Sequence, residues 1–171
     1  MDSVDVPNQH VDVPNKHVDV PIECLEDCLL PKYADSGAAG VDLVAHIPSK
    51  FIDDLQQIFI YPGKRACVKT GIKVAIPEGY ELQIRPRSGL ALKNGITVLN
   101  TPGTIDSSYR GEIGVILINH SSETFVVTNG MRIAQAVCTP VIKMSFVKMN
   151  TEQFGQLKTD RMAGGFGSTG V

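Results

Sequence analysis

Residues 111–138 read GEIGVILINHSSETFVVTNGMRIAQAVC and contain three short runs rich in Val and Ile. The runs cover 112–119, 123–128 and 132–138, and Asn129-Gly130 separates the last two. Short β-branched runs divided by such turns are typical of antiparallel strands. The first run does not alternate between apolar and polar residues, so we expect both of its faces to be buried. That is compatible with a sandwich core on one face and a subunit contact on the other.

The same pattern extends over most of the chain. Further runs lie at 40–46, 57–61, 64–75, 80–85, 96–99 and 141–148, with turn signals at Pro62-Gly63, Glu78-Gly79, Asn94-Gly95 and Pro102-Gly103. Many short strands joined by tight turns predict an all-β barrel or jelly-roll sandwich.

One short helix is predicted near residues 88–94. Ser88 can act as its N-cap, and Asn94-Gly95 supplies a left-handed ending. Because Arg85-Pro86-Arg87 comes directly before the free amides of the first turn, the start of this helix is typical of an anion site.

The chain divides into three parts. Residues 1–21 repeat the unit VDVPNxH, and a proline in every unit predicts a disordered or extended arm rather than a helix. Residues 22–149 carry the β pattern. Residues 150–171 lose that pattern and end in a glycine-rich stretch, which predicts a flexible C-terminal arm.

Composition argues against several classes of function. The 171 residues include 16 basic and 18 acidic side chains, a balance that gives no general attraction to nucleic acid or membrane. The polar, acidic N-terminal stretch is not typical of a secretory signal. The four cysteines lack zinc spacing, so we expect four reduced thiols and a cytoplasmic protein, or a nuclear one if the source is eukaryotic or viral.

Five motifs identify a resemblance to the trimeric deoxyuridine triphosphatases (dUTPases). They are GAAGVDL (37–43), RPRSGLA (85–91), NTPGTIDSSYRGE (100–112), GMRIAQA (130–136) and RMAGGFGSTG (161–170). The resemblance covers roughly residues 22–171. It implies a jelly-roll subunit, a homotrimer with shared active sites, and Mg²⁺-assisted hydrolysis of dUTP to dUMP and pyrophosphate. Such an enzyme limits uracil incorporation into DNA and supplies dUMP for thymidylate synthesis.

The resemblance assigns the catalytic role to Asp106. Water attacking the α-phosphorus needs a base within hydrogen-bond reach, and Asp106 is the one acidic residue between Glu81 and Glu112. Taken without the resemblance, an aspartate in a turn more often caps its own backbone.

The resemblance also gives a set of substrate-binding residues. For the phosphates these are Arg87, Ser88, Gly89, Gln135 and, from the C-terminal arm, Arg161. For uracil and the sugar they are Asn100, Gly103, Thr104, Ile105, Tyr109, Phe166 and Gly167. Asn100 and its hairpin would pair with uracil, Tyr109 would lie under the deoxyribose, and Phe166 would stack on the base. Asp42 would contact Mg²⁺ through water, the ion being held mainly by the substrate phosphates.

The remaining arginines of these motifs, Arg85, Arg110 and Arg132, are interpreted as structural ion-pairing residues. Departures from the family pattern occur at Ser108 and Met131, where aspartate is common, and at Met162-Ala163, which replaces a more glycine-rich pair.

Two alternatives stay open at this stage. One is a dCTP deaminase of the same fold, which would need a different base and no C-terminal arm. The other is a dUTPase-like trimer that works mainly by binding another protein. Residues 1–21 would be the segment that binds this unidentified partner.

Overall fold

The computed structural model describes residues 17–25, 28–48, 56–160 and 162–164. Contacts divide the chain into two units, Met1–Val141 and Ile142–Val171. The first unit holds all eleven strands of the described residues, and the second holds a short helix. None of the helices in these ranges is long and apolar enough to cross a membrane.

The elements follow one another in chain order. They are β1 (Ile22–Cys24), β2 (Val41–Val44), β3 (Gln57–Ile60), β4 (Arg65–Lys69), β5 (Ile72–Val74), β6 (Tyr80–Arg85), α1 (Ser88–Asn94), β7 (Ile96–Val98), β8 (Gly103–Ile105), β9 (Gly114–Asn119), β10 (Phe125–Thr128), β11 (Arg132–Pro140) and α2 (Thr151–Gly155).

The strands form four antiparallel sheets. Their orders are β1-β5, β10-β3, β2-β11-β6-β8 and β4-β9-β7. Buried Val, Ile and Leu side chains from all four sheets form one core cluster, including Leu43, Ile60, Ile72 and Leu117. The all-β prediction is therefore confirmed, and the predicted helix lies at residues 88–94.

Strand β9 lies in the run whose two faces we expect to be buried. Its residues alternate between fully buried positions (Val115, Leu117 and Asn119) and half-buried ones (Gly114, Ile116 and Ile118). Within the single chain only one face of β9 points into the core, and the burial of its other face by a subunit contact stays a prediction.

Three other differences concern strand boundaries. The run 64–75 is two strands, because Gly71 takes a left-handed φ of 71° between them. Strands β1 and β8 were not predicted, since each has only three residues. Residues 141–148, all of them described, form no strand, so that prediction is wrong; an apolar run becomes a strand only where another strand accepts its hydrogen bonds.

The cysteines also differ from expectation. A turn in which the Cys28 N–H donates to the Leu25 carbonyl (3.0 Å) brings the Cα atoms of Cys24 and Cys28 to 5.7 Å, and the two form a disulfide. Cys67 and Cys138 are free thiols. The prediction of four reduced thiols is thus wrong for the first pair, and the cytoplasmic location stays a prediction.

The C-terminal unit contains helix α2 inside the stretch predicted as a flexible arm. Its start is fixed by a capping box, in which the Asn150 side chain accepts from the Gln153 N–H at 2.8 Å. The Gln153 side chain accepts in return from the Asn150 N–H at 3.1 Å.

Candidate active site

A charged cluster of Asp42, Arg87 and Arg132 lies where β2, the start of β11 and the end of β6 meet. Arg87 Nε lies 2.8 Å from Asp42 Oδ1, and Arg87 Nη2 lies 3.4 Å from Oδ2. Arg132 Nη1 is 3.3 Å from the same Oδ2. Both oxygens of the Asp42 carboxylate are therefore bound by guanidinium groups. Arg87 contacts it in the planar, bidentate geometry by which arginine recognises anions.

The register of the strands explains why Asp42 and Arg87, which are 45 positions apart in the sequence, come into contact. Gln135 on β11 lies opposite Asp42 on β2 and opposite Arg85 at the end of β6. The chain turns after Arg85, so Arg87 reaches back across the sheet to Asp42. Gln135 completes the cluster, because its Nε2 donates to the Pro86 carbonyl at 2.9 Å.

Gly40, in the GAAGVDL motif, allows β2 to approach β11 closely. A Cβ atom at this position would lie 3.2 Å from Gln135 Oε1 and 3.1 Å from the Ala136 carbonyl oxygen. Such contacts are tighter than ordinary packing, so a side chain here would separate the two strands.

Helix α1 begins beside this cluster. Arg87, rather than Ser88, is the N-cap, and it makes no side-chain capping bond. The prediction of Ser88 as N-cap is wrong by one position, and Ser88 and Gly89 instead form the exposed first turn. The predicted ending is confirmed, since Gly95 has a φ of 64° and its N–H donates to the Ala91 carbonyl.

A second group of predicted residues surrounds β8. Gly103 is buried against β6, and a Cβ there would lie 3.2 Å from Asn100 Nδ2. The strand Gly103–Ile105 pairs with β6, with Gly103 opposite Ile84 and Ile105 opposite Leu82. Asn100 is exposed beside it.

Asp106 follows β8 directly and opens a turn. The turn is closed by the Tyr109 N–H, which donates to the Asp106 carbonyl at 3.0 Å. The Asp106 side chain itself is exposed, and its carboxylate makes no hydrogen bond or ion pair with the residues that the structure describes. The local alternative, an aspartate that caps its own backbone, is not what this geometry shows.

Asp106 and the arginine cluster lie toward opposite ends of β6, whereas Gly103 lies opposite Ile84, near the cluster. Continuing the register of β8 brings Asp106 level with Glu81, whereas Arg87 follows Arg85. Four residues of extended chain span about 13 Å, so the base and the arginine cluster of one chain are far apart along the sheet.

Of the three arginines interpreted as ion-pairing residues, Arg132 alone pairs with a carboxylate, Asp42, within the described residues, whereas Arg85 and Arg110 make local hydrogen bonds instead. Arg110 Nη1 donates to the carbonyls of Ser107 and Tyr109, both at 2.7 Å. Arg85 donates to Gln83 Oε1 through Nε (3.1 Å) and Nη2 (2.6 Å). Glu112, to which no role was assigned, accepts the Tyr109 hydroxyl on its backbone carbonyl. Its side-chain carboxylate accepts a hydrogen bond from the Gly71 N–H, 41 positions away in the sequence. No local sequence signal could have indicated a contact over that distance.

A metal site made only of protein side chains is not found in the described ranges, which contain no group of three or more His, Cys, Asp or Glu arranged around a cation. Arg161, Phe166 and Gly167 lie outside the described residues, so their predicted roles stay predictions.

A model of the dUTPase family matches residues 26–170. A deoxyuridine 5'-triphosphate nucleotidohydrolase of Chlamydia pneumoniae is 57% identical over 142 residues, which are 83% of this chain and 91% of that protein. The chain belongs to the dUTPase family. The prediction of family is thereby confirmed.

Solved structures support the fold of this dUTPase family member. A mutant dUTPase of Staphylococcus bacteriophage 80alpha with dUpNHpp has a TM-score of 0.75 at 22% identity, covering 90% of this chain and 99% of that one. A mutant dUTPase of phage phi11 of S. aureus, described with a structural Mg(II) ion, has a TM-score of 0.67 at 21% identity and covers 80% and 100%. The predicted jelly-roll class is confirmed.

Proposed function

We propose that the chain hydrolyses dUTP to dUMP and pyrophosphate by attack of water on the α-phosphorus. In a cell this reaction would limit uracil incorporation into DNA and supply dUMP for thymidylate synthesis. One observation carries the proposal: this dUTPase-family chain has both an arginine–carboxylate cluster and an exposed aspartate turn, which lie toward the two ends of β6.

Asp106 acts as the base. Its carboxylate is exposed and unpaired within the described chain, while the Tyr109 N–H fixes the backbone of its turn. The attacking water gives a proton to this carboxylate as its oxygen bonds to the α-phosphorus. The bond from that phosphorus to the bridging oxygen breaks, and pyrophosphate leaves.

The phosphates are bound by Arg87, with Ser88 and Gly89 at the exposed start of α1 and with Gln135 beside them. Arg161 adds a further contact from the C-terminal segment. Guanidinium groups already held by Asp42 are oriented before substrate arrives, so less side-chain entropy is lost on binding.

Magnesium is proposed as the cofactor, held mainly by the substrate phosphates and by water. Asp42, the one carboxylate of the cluster, already accepts from Arg87 and Arg132, so it would contact the ion only through water, which fits an ion that keeps most of its hydration shell. When bound, Mg²⁺ would neutralise part of the triphosphate charge.

Selection of deoxyuridine falls to the segment from Asn100 to Tyr109. Asn100 and the backbone of Gly103–Ile105 pair with the polar edge of uracil and leave no room for a 5-methyl group. Tyr109 lies under the deoxyribose, where a 2′-hydroxyl would clash. Phe166 stacks on the base, next to Gly167.

The assembly is proposed to be a homotrimer in which neighbouring chains share each site. The separation of Asp106 from Arg87 along β6 supports sharing. So does the exposure of large apolar side chains, of which Ile142 is 91% and Phe146 is 88% exposed. An unidentified partner for residues 1–21 stays a prediction.

The deciding experiment measures pyrophosphate release with Mg²⁺ and each of dUTP, dTTP, dCTP and UTP. Release from dUTP at a rate at least about a hundredfold above the other three is expected. Ammonia release from dCTP would instead support the deaminase, and no release from any nucleotide would favour a binding protein. A chain lacking residues 1–21 should keep full activity toward dUTP.

A further inference from the structure

We infer that Glu112 is a positioning residue that holds the Tyr109 ring in place beneath the deoxyribose. The inference rests on the proposed function, in which Tyr109 excludes a 2′-hydroxyl. Tyr109 is itself 43% exposed, so its orientation depends on a small number of contacts.

Glu112 contacts Tyr109 through its backbone. The Tyr109 hydroxyl donates to the Glu112 carbonyl at 3.1 Å, and the ring lies over Gly111, where a Cβ would meet Tyr109 Cε2 at 3.0 Å. The direction of the ring is therefore set by the path of the backbone from Gly111 to Glu112.

The side chain of Glu112 fastens that backbone to the connection between β4 and β5. Its Oε1 accepts the Gly71 N–H at 2.9 Å, and its Oε2 lies 3.5 Å from Lys69 Nζ. Gly71 is buried and the Glu112 side chain is only 20% exposed, whereas that of Lys69 is 54% exposed. The hydrogen bond to the buried amide is the stronger attachment, because an exposed ion pair is weakened by water and salt.

The connection to which Glu112 is fastened is firmly held. The N–H and the hydroxyl of buried Thr70 both donate to the Ile113 carbonyl, at 3.2 and 2.8 Å. The Ile113 N–H donates to the Ile72 carbonyl at 2.9 Å. Glu112 thus links the buried connection at Gly71 to the exposed Tyr109 ring. Because its side chain is bound to the first and its backbone carbonyl to the second, it fixes the ring relative to the core.

The consequence concerns sugar selectivity more than turnover. If the attachment is lost, Tyr109 can move away from the sugar, and a ribose becomes easier to accommodate. Asp106 contacts Tyr109 through the backbone, where the Tyr109 N–H donates to its carbonyl at 3.0 Å, and neither its carboxylate nor this bond involves the Tyr109 ring or Glu112. The rate constant of the chemical step should therefore change less than the selectivity for deoxyribose.

The test compares the full chain with Glu112→Ala, Glu112→Asp and Glu112→Gln, measuring kcat and KM for dUTP and for UTP. Glu112→Asp keeps the charge but is one methylene too short to reach Gly71, and it serves if Glu112→Ala does not fold. Glu112→Gln keeps an acceptor for the Gly71 N–H. Lys73→Met is the matched control. It removes a comparable ion pair, Lys73–Glu23 at 3.0 Å, which joins β5 to β1 and does not involve Glu112.

We expect the ratio of kcat/KM for dUTP to that for UTP to fall about tenfold in Glu112→Ala and Glu112→Asp, mainly through KM. Glu112→Gln should restore at least half of the wild-type ratio, and Lys73→Met should leave it unchanged. A ratio that stays at the wild-type value in both shortened variants, or that Glu112→Gln fails to restore, would overturn the inference. Failure of the proposed function is distinguishable, since the wild-type chain would then not hydrolyse dUTP at all.

Discussion

At the scale of single residues, Asp106 carries the proposed chemistry. Asp106→Asn keeps the size of the side chain but removes the proton acceptor. We expect kcat for dUTP to fall about 10²- to 10⁴-fold, while the affinity for a non-hydrolysable dUTP analogue changes less than about threefold. Pyrophosphate release and titration calorimetry measure the two quantities.

The control for Asp106 is Asp35→Asn, which removes a carboxylate that closes only a local turn with the Gly37 N–H at 2.8 Å. It should turn over dUTP at the wild-type rate. Wild-type kcat in Asp106→Asn, or equal losses in the two variants, would contradict the role of Asp106 as base.

The two free thiols should react at different rates. Burial raises the pKa of the Cys138 thiol, so at pH 8 less of it is thiolate than in an exposed cysteine. Cys67 is exposed. We expect iodoacetamide to modify Cys67 at least about tenfold faster than Cys138, and unfolding in urea to remove the difference. Timed mass spectrometry of peptides measures both rates, and Cys24 and Cys28 should react only after reduction.

The sign of the pH effect follows from the same shift. Because the folded pKa of Cys138 is raised, the folded chain keeps a proton that the unfolded chain loses as pH rises through the ordinary thiol range. The contribution to stability is present below that range and decreases above it. Equal alkylation rates for Cys67 and Cys138 in the folded protein would contradict this account.

At the scale of elements, the connection between β4 and β5 depends on Gly71. Its φ of 71° is left-handed, and a Cβ there would meet Cys28 Cβ and His46 Cγ at 2.8 Å. Gly71→Ala should lower the free energy of unfolding by about 2–4 kcal/mol, from backbone strain plus steric overlap. Urea denaturation measures the loss.

Gly63→Ala is the control for the steric part. Gly63 has a φ of 69°, but no atom lies within 4 Å of the added Cβ. Only the backbone strain applies, so the expected loss is about 1–2 kcal/mol. Equal losses at Gly63 and Gly71 would show that packing around the connection contributes nothing.

Strands were predictable from sequence where the signal was local. Strand β6 was predicted with its observed bounds, because a Glu-Gly turn precedes it and Pro86 ends it. Strand β8 was missed, since three residues between Pro102 and Asp106 form no apolar run. The run 141–148 was assigned wrongly for the opposite reason, since apolar character does not supply a partner strand.

The candidate site shows the same division between local and distant information. The motifs identified Asp42 and Arg87 separately, but the ion pair between them depends on the registers of β2, β11 and β6. The bond from the Gly71 N–H to Glu112 likewise joins residues that only the fold brings together. The Cys24–Cys28 disulfide could not be predicted from spacing alone, because the path of the backbone between the two residues sets their Cα–Cα distance of 5.7 Å.

At the scale of the whole molecule, the separation of Asp106 from Arg87 along β6 predicts complementation between chains. Arg87→Ala removes the phosphate ligand, and Asp106→Asn removes the base, so each variant alone should be inactive. In a mixed trimer, an intact Arg87 from one chain can face an intact Asp106 from its neighbour. Activity should therefore return when the two variants are unfolded, mixed and refolded together.

The amount of activity regained tests how each site is assembled. With equal proportions and random assembly, about one quarter of the sites combine both intact residues, so about one quarter of wild-type activity is expected. Each variant refolded alone is the control, and size-exclusion chromatography with light scattering checks that mixed trimers form. Mixed trimers without activity would mean that Arg87 and Asp106 of the same chain serve one site, and the distance along β6 would then have to be closed by a rearrangement of that chain.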